Sequence, residues 1–247
     1  MTTPEVRPRP RLFFLPDMVT SFNLFTGFLS ILMVTRGKVK EAAWLILLSM
    51  IWDSLDGNIA RMFKNPTQFG RELDSLADIV SFVTAPALLA ATFLVHKLSP
   101  WSLLLLYLYL AAGAFRLARF NIRTPVKHYF EGLPTPAAAL TLCTTILAYI
   151  KNDWDNRWLL IPLVLILAAA MTSEVPYPKL SAMPFAKWQT LLYMAIALLF
   201  GMLYRFNLET AMSSVMLFFL LIAPLYCLSM KREAPEPEPG SSTAENS

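Results

Sequence analysis

The sequence predicts an all-α fold, a polytopic membrane bundle of about eight transmembrane helices. Hydrophobic residues make up 56% of the 247 residues and charged residues only 15%, and the mean hydropathy is +0.51. Apolar runs of roughly 20 residues, long enough to cross the hydrocarbon core of a bilayer, recur between charged or proline-containing breaks. Soluble globular domains are less apolar, so the composition excludes that class.

Taken in order along the chain, the apolar runs predict helices at 17–35, 41–62, 75–96, 100–121, 134–150, 157–172, 187–204 and 209–229. The basic N-terminus lacks the small-residue cleavage site of a signal peptide, so we expect it to be retained. We therefore expect a cytoplasmic N-terminal segment at 1–16 and a transmembrane domain at 17–230. Residues 231–247 are rich in Pro, Glu and Ser, which predicts a disordered cytoplasmic tail.

The distribution of basic residues predicts the orientation. With eight spans, about two thirds of the 21 Lys and Arg residues lie at span ends on one side of the bilayer. Cytoplasmic loops carry such an excess, so both termini and residues 53–78 are predicted on the cytoplasmic side of the cell (inner) membrane. The basic residues lack interleaved aromatic residues, so anionic membrane lipids explain them better than nucleic acid.

Four of the seven aspartates of the chain lie in one short window. Asp53 and Asp56 are three residues apart, and Asp74 and Asp78 are four apart, so each pair lies on one face of a helix. Pro66 disfavours helix at the residue before it and favours a turn between the two helices. If these helices are antiparallel neighbours, the two pairs of carboxylates converge.

Carboxylates at the edge of the hydrocarbon region are costly unless a cation compensates them. Oxygen ligands of this kind suit hard divalent cations, Mg2+ or Mn2+ first and Ca2+ as an alternative. In a purely structural explanation, each aspartate would cap a helix or pair with Arg61 or Arg71. That explanation suits a single aspartate better than four at paired spacing, so we expect a metal centre.

Small and basic residues surround the aspartates. Gly57 and Ala60 form a small surface on which something flat or bulky can approach the helix. Arg61, one turn beyond Gly57, is a fork-shaped donor suited to phosphate. Gly70 precedes the second acidic pair and permits a close approach or a turn. Helix packing explains each glycine equally well when it is taken singly.

The identities and spacing of these residues form a specific motif. The fixed residues, in order, are Asp53, Asp56, Gly57, Ala60, Arg61, Gly70, Asp74 and Asp78. This pattern resembles, at every fixed position, the signature of the CDP-alcohol phosphatidyltransferase family. The resemblance implies the fold of that family and a membrane enzyme in which an alcohol attacks a CDP-linked lipid and releases CMP. It also implies two divalent metal ions at the aspartates, and it suggests a homodimer.

The resemblance implies a role for each residue of the motif. Asp53, Asp56 and Asp74 would provide most of the metal coordination, and Asp78 would be the general base while also contacting a metal. Residues that match positions against the CDP group are Gly57, Ala60, Arg61 and Gly70. On the first span, Thr20 and Asn23 are candidates for hydrogen bonds to the nucleotide, although polar contacts between helices explain them as well.

Four further segments resemble the bacterial and archaeal members of the family that use serine as acceptor: LPDMVTSFNLFTGFLSI (15–31), FRLARFN (115–121), FEGLPTPAAA (130–139) and VPYPK (175–179). The resemblance therefore implies CDP-diacylglycerol as donor and L-serine as acceptor, with phosphatidylserine as product. Arg116 and Arg119 are candidates for binding the donor phosphate or the serine carboxylate, and Lys179 is a weaker one. Ordinary anchoring at the membrane surface is the alternative for both arginines.

Other functions remain open at this point. Within the family, glycerol 3-phosphate, inositol phosphate or choline could be the acceptor, because the shared motif binds the common donor. An intramembrane prenyltransferase also uses aspartate-rich helices and Mg2+, but its two acidic motifs lie far apart in the chain. A divalent-cation transporter would explain the aspartates but not the glycines and the arginine at fixed spacing.

Overall fold

The structure, a computed structural model, describes residues 15–62, 68–94, 100–122, 129–178, 201, 203 and 207–233. The helices in this part of the chain are α1 (Leu15–Thr35), α2 (Val39–Met62), α3 (Gln68–Asp78), α4 (Ala85–Leu94), α5 (Pro100–Ile122), α6 (Thr135–Lys151), α7 (Leu160–Thr172) and α8 (Leu208–Glu233). A π-helical turn, Ile79–Thr84, joins α3 to α4 without a break, and a short 3-10 turn, Arg157–Leu159, precedes α7.

The helical membrane class predicted from the sequence is confirmed. Among the described residues, three helices are long and apolar enough to cross a membrane: Pro16–Thr35, Gln68–Leu94 and Leu208–Leu225. The expected number of eight spans is not confirmed, and the predicted helix at 187–204 lies almost entirely outside the described residues. The helix predicted to begin at residue 75 begins earlier, at Gln68, so Gly70 lies inside its first turn and not before it.

Helix α1 packs along α2 and also contacts α3 and the π-helical turn. Polar side chains hold the α1–α2 pair together, because Ser30 donates to the backbone carbonyl of Ala42 at 2.9 Å and the hydroxyls of Thr26 and Ser49 are 2.6 Å apart. In an apolar environment such bonds join helices more effectively than Leu–Leu contacts, which lipid tails replace equally well. This pairing brings the start of α1 beside the acidic end of α2.

Helix α6 occupies the interior of the bundle. Its residues are buried along almost its whole length, and Leu142 and Ile146 are among the fully buried side chains. It contacts α2, α4, α7 and α8. Because α6 is surrounded by other helices, the bundle provides a rigid support for the residues at the start of α6.

A two-stranded ribbon lies outside the helical pattern that the sequence predicts. Strand β1 (Tyr129–Glu131) pairs antiparallel with β2 (Pro176–Pro178), with Phe130 opposite Tyr177. Gly132 follows at a φ of 78°, a conformation that favours glycine, and its N–H donates to the carbonyl of Val175 at 2.9 Å. Each strand is only three residues long, and β2 begins and ends with proline. The sequence therefore has no alternating pattern that would predict these strands.

Candidate active site and metal centre

The acidic residues of α2 and α3 converge as the spacing predicts. Ligand oxygens of Asp53, Asp56 and Asp74 all lie within 4.8 Å of one another. Asp78 is 7% exposed and interacts electrostatically with Asp53 and Asp74 more strongly than with Asp56. Along the two helices, Asp56 and Asp74 lie nearer the connection between α2 and α3, and Asp53 and Asp78 lie further from it. We call these two pairs the outer end and the inner end of the cluster.

Helix α1 supports two of these carboxylates. Thr20 donates a hydrogen bond of 2.9 Å to Oδ2 of Asp56, and Nδ2 of Asn23 donates one of 3.4 Å to Oδ1 of Asp78. The hydroxyl of Ser81, in the π-helical turn, donates to the backbone carbonyl of Asn23 at 3.0 Å. Thr20 and Asn23 thus contact the aspartates directly, and their proposed contacts with nucleotide remain predictions.

The residues present fit a divalent cation. Oδ1 of Asp74 is buried and has no hydrogen-bond partner. Within the part of the chain that the structure describes, which includes the side chain of Arg71 but not that of Arg61, no ion pair neutralises the three clustered carboxylates. Like charges this close together in a partly desolvated site repel one another strongly. A cation with oxygen preference would relieve that repulsion.

The surface next to the outer end of the cluster is open at one predicted nucleotide position. A Cβ added to Gly57 would meet no atom within 4 Å. The side chains of Ala60 and Arg61 lie outside the described part of the structure, although their backbone belongs to α2. Gly70 is half-buried in the first turn of α3. The space beside Gly57 is consistent with the close approach of a bulky group.

The two arginines of α5 have different surroundings. Arg116 is 7% exposed; its Nη1 donates to Oγ1 of Thr135 at 3.0 Å, and it interacts electrostatically with Asp78 and Asp53. Its Nε is buried without a hydrogen-bond partner. Arg116 therefore faces the inner end of the acidic cluster.

Arg119 instead contacts the main chain. It donates hydrogen bonds of 3.0 to 3.2 Å to the carbonyls of four residues: Glu131, Met171, Thr172 and Ser173. These acceptors lie at the end of β1 and at the end of α7. The contacts favour a structural role for Arg119 over the substrate-binding role expected for it, because its guanidinium joins α5 to both segments. Lys179, the third candidate, lies outside the described residues.

Sequence reasoning missed three features of the site. The first is Thr135, which anchors Arg116 from the start of α6. The second is the π-helical turn directly after Asp78, a feature that often occurs at functional sites. The third is Asn121 of α5, which accepts a hydrogen bond of 3.0 Å from Ser75 and so joins α5 to α3. Thr135 and Asn121 lie in the segments 130–139 and 115–121, which resemble the serine-using members of the family. Their partners could not be predicted, because all three features depend on contacts between distant parts of the chain.

A helical membrane bundle with an acidic centre on two successive helices is suited to an integral-membrane protein that binds divalent cations. The family model for CDP-alcohol phosphatidyltransferase matches residues 13–175. The chain belongs to the CDP-alcohol phosphatidyltransferase family. The matched region contains α1 to α7 and every described residue of the acidic centre.

Named relatives cover most of the chain. A CDP-diacylglycerol–serine O-phosphatidyltransferase of Helicobacter pylori is 31% identical over 85% of this chain and 89% of its own length. An enzyme of the same name from Methanocaldococcus jannaschii is 40% identical over 66% of this chain and 73% of its own length. An archaetidylserine synthase of Methanothermobacter thermautotrophicus is 34% identical over 68% of this chain and 71% of its own length.

Proposed function

We propose that this membrane enzyme transfers the phosphatidyl group of CDP-diacylglycerol to the hydroxyl of L-serine, giving phosphatidylserine and CMP. The observation that carries the proposal is the convergence of Asp53, Asp56 and Asp74 beside the buried carboxylate of Asp78. Membership of the family supports the donor, and the names of its relatives support serine. In this reaction the serine oxygen forms a bond to the phosphorus that carries diacylglycerol, and the bond from that phosphorus to CMP breaks.

Asp78 is the proposed general base. Its side chain is buried and lies at the inner end of the cluster, and Asn23 holds one of its oxygens. It would accept the proton of the serine hydroxyl as the new phosphorus–oxygen bond forms. Asn23 is itself held, because Ser81 and Thr26 both donate to its backbone carbonyl at 3.0 Å. The carboxylate is therefore pre-positioned by α1 and the π-helical turn.

Asp53, Asp56 and Asp74 would hold the divalent cations, which we propose to be two Mg2+ or Mn2+ ions with additional contact from Asp78. Such cations would supply positive charge that offsets the charge of the pyrophosphate and of the CMP leaving group. Thr20 fixes the carboxylate of Asp56 through its 2.9 Å hydrogen bond. Such outer contacts orient metal ligands and tune their affinity.

The outer end of the cluster is the proposed site of the CDP group. The open space beside Gly57 accommodates a group that approaches the backbone of α2 closely. Arg61, on the same helix one turn further, would bind a phosphate, and Ala60 and Gly70 would line the same surface. We also propose that this surface and both chain termini are cytoplasmic, where CDP-lipids and polar acceptors are available; the excess of Lys and Arg at span ends on that side supports this orientation.

The test is a reconstitution with purified protein. CDP-diacylglycerol is supplied with Mg2+ or Mn2+ and, in separate reactions, with L-serine, glycerol 3-phosphate, inositol phosphate or choline. Lipid products are identified by mass spectrometry, and CMP is quantified. We expect phosphatidylserine and equimolar CMP with serine. Formation of a different lipid would identify another of these alcohols as the acceptor in place of serine. Absence of CMP release with every acceptor would overturn the enzyme assignment.

A further inference from the structure

Ser81 is fully buried in the π-helical turn, close to the proposed base. It follows Asp78 by three residues, and its hydroxyl donates to the backbone carbonyl of Asn23 at 3.0 Å. The side-chain amide of Asn23 in turn donates to Oδ1 of Asp78 at 3.4 Å. One continuous helical segment therefore contacts Asn23 at two points, at its carbonyl through Ser81 and at its amide through Asp78.

The π-helical turn sets the rotation of α3 relative to α4. Leu76 and Val83 are seven residues apart, close to two turns of an α-helix, so a regular helix would place both on one face. Leu76 is nevertheless 65% exposed, whereas Val83 is fully buried. Hydrogen bonds of a π-helix join residues five apart, as from the N–H of Ala85 to the carbonyl of Val80. The extra residue rotates α3 relative to α4 by roughly 100°, the turn of one helical residue.

Two glycines allow neighbouring helices to close on this turn. A Cβ added to Gly27 of α1 would lie 2.8 Å from Cα of Ser81, and one added to Gly113 of α5 would lie 2.6 Å from both methyl groups of Val83. Carbon atoms in contact are normally about 3.5–4.0 Å apart, so side chains at these positions would push the helices away from the turn. Gly27 is one turn beyond Asn23, and its missing side chain leaves room for the Ser81 hydroxyl beside the Asn23 carbonyl.

Other hydroxyls near this carbonyl cannot replace Ser81. Thr26 also donates to it, at 3.0 Å, but Thr26 belongs to α1 itself, and Ser49 of α2 is 3.5 Å away. Among these three donors, only Ser81 belongs to the segment that carries Asp78. Its hydrogen bond therefore fixes that segment to α1 at the residue whose amide contacts the proposed base.

We propose that Ser81 is a positioning residue for the transfer reaction. It anchors the π-helical turn to Asn23 and thereby fixes the direction of the Asp78 carboxylate. The inference rests on the proposed function, in which Asp78 is the general base. A base has to lie within hydrogen-bond reach of the proton that it accepts, and small displacements of a reacting group cost large factors in rate. Because Ser81 acts through Asn23 and touches no substrate, its effect should appear in turnover and not in binding.

The first measurement is the steady-state kinetics of Ser81→Ala with CDP-diacylglycerol and L-serine. The kcat should fall about 10-fold, while the KM for serine and the dissociation constant of CDP-diacylglycerol should change less than about twofold. Ser81→Cys retains the shape of the side chain with a weak donor, so its kcat should lie between those of Ser81→Ala and the wild type. The cysteine variant also carries the comparison if the alanine variant does not fold.

Ser30→Ala is the matched control. Ser30 is also fully buried, and its hydroxyl also donates to a main-chain carbonyl of another helix, that of Ala42, at 2.9 Å. It lies on α1 seven residues beyond Asn23, in the direction away from the acidic cluster. Both alanine variants should lower Tm by similar amounts, because each removes one buried hydrogen bond between helices. Only Ser81→Ala should lower kcat.

A double-mutant cycle tests whether Ser81 acts through Asn23. Asn23→Ala removes the amide that contacts Asp78 and keeps the backbone carbonyl that accepts from Ser81. In this background Ser81→Ala should lower kcat by less than a further factor of about two, because the amide that links Ser81 to Asp78 is already absent.

Three results would overturn the inference and leave the proposed function intact. They are a wild-type kcat in the folded Ser81 variants, an equal loss of kcat in Ser30→Ala, and a full 10-fold effect of Ser81→Ala in the Asn23→Ala background. Failure of the proposed function is recognised separately, since the wild-type protein would then form no phosphatidylserine in the acceptor panel.

Discussion

Thr20 of α1 donates a 2.9 Å hydrogen bond to Oδ2 of Asp56 on α2, and both side chains are buried. The residues are 36 positions apart in the chain. This bond links the first helix to the acidic centre and orients one of its carboxylates. It therefore makes α1 part of the proposed metal site, although α1 itself contributes no residue to the cluster of three aspartates.

Thr20→Val should weaken the apparent affinity for Mg2+ or Mn2+ about 10-fold, because a metal ligand loses the contact that orients it. The measurement is a titration of activity with metal at saturating substrates. Ser21→Ala is the control. Ser21 is adjacent to Thr20 in the sequence, but it is exposed and its hydroxyl donates to the backbone carbonyl of Asp17. Equal metal titrations for Thr20→Val and the wild type would show that this hydrogen bond does not affect the metal.

Asp74→Asn should change thermal stability in opposite directions with and without metal. In chelator, removal of one of three mutually repelling carboxylates should raise Tm by about 2–4 °C, the shift expected for about 1 kcal/mol in a protein of this size. At saturating Mg2+ or Mn2+ the wild type should be the more stable protein. It alone retains all three carboxylates, so metal binding stabilises it more than it stabilises the variant. Glu72→Gln, an exposed change on the same helix, should show no such reversal. A variant that is less stable in both conditions would indicate a structural role for Asp74.

Asp78→Asn should lower kcat by about 10²–10⁴-fold, the usual contribution of a general base. Binding of CDP-diacylglycerol, measured directly, should change little, because the amide has nearly the same shape as the carboxylate. Glu41→Gln is a suitable control, since Glu41 is exposed near the start of α2, far from the cluster. Near-normal turnover in Asp78→Asn would assign the base to another group.

Gly27→Ala and Gly57→Ala should have opposite effects on stability. At Gly27 a Cβ would lie only 2.8 Å from Cα of Ser81, so the helix and the π-helical turn would have to separate, at a cost of about 1–3 kcal/mol. At Gly57 a Cβ meets open space, and alanine favours helix by roughly 0.5–1 kcal/mol. Thermal unfolding in detergent measures both changes.

The same pair of variants separates packing from substrate binding. Gly57→Ala should raise the KM for CDP-diacylglycerol despite its greater stability, because the methyl group occupies the proposed nucleotide surface. A stable Gly57→Ala enzyme with unchanged donor KM would remove Gly57 from that surface.

Local sequence patterns predicted the features that depend on spacing along one or two helices. The pairs at Asp53 and Asp56 and at Asp74 and Asp78 each share a helix face because helix periodicity requires it. Their convergence follows from the short connection between α2 and α3. The helical membrane class follows equally directly from the apolar runs, since backbone groups in lipid must be satisfied within the segment.

Patterns along the chain could not predict features that join distant segments. The pairing of β1 with β2 brings together residues 129–131 and 176–178, and neither segment alternates polar and apolar residues. In the π-helical turn, Ser81 packs against Asn23 and Gly27 of α1. Such features arise from tertiary packing, which propensity and periodicity do not encode.

The sequence by itself determined the helical membrane class, the acidic centre and the family, because these depend on composition and on fixed local spacing. The tertiary structure decided how Arg116 and Arg119 differ. Both lie on α5 one turn apart and carry the same charged group, yet one faces Asp78 and the other holds main-chain carbonyls. The physical reason is that the partners of each guanidinium come from neighbouring segments, here α6, the end of α7 and the ribbon. Packing across the bundle sets the positions of those segments.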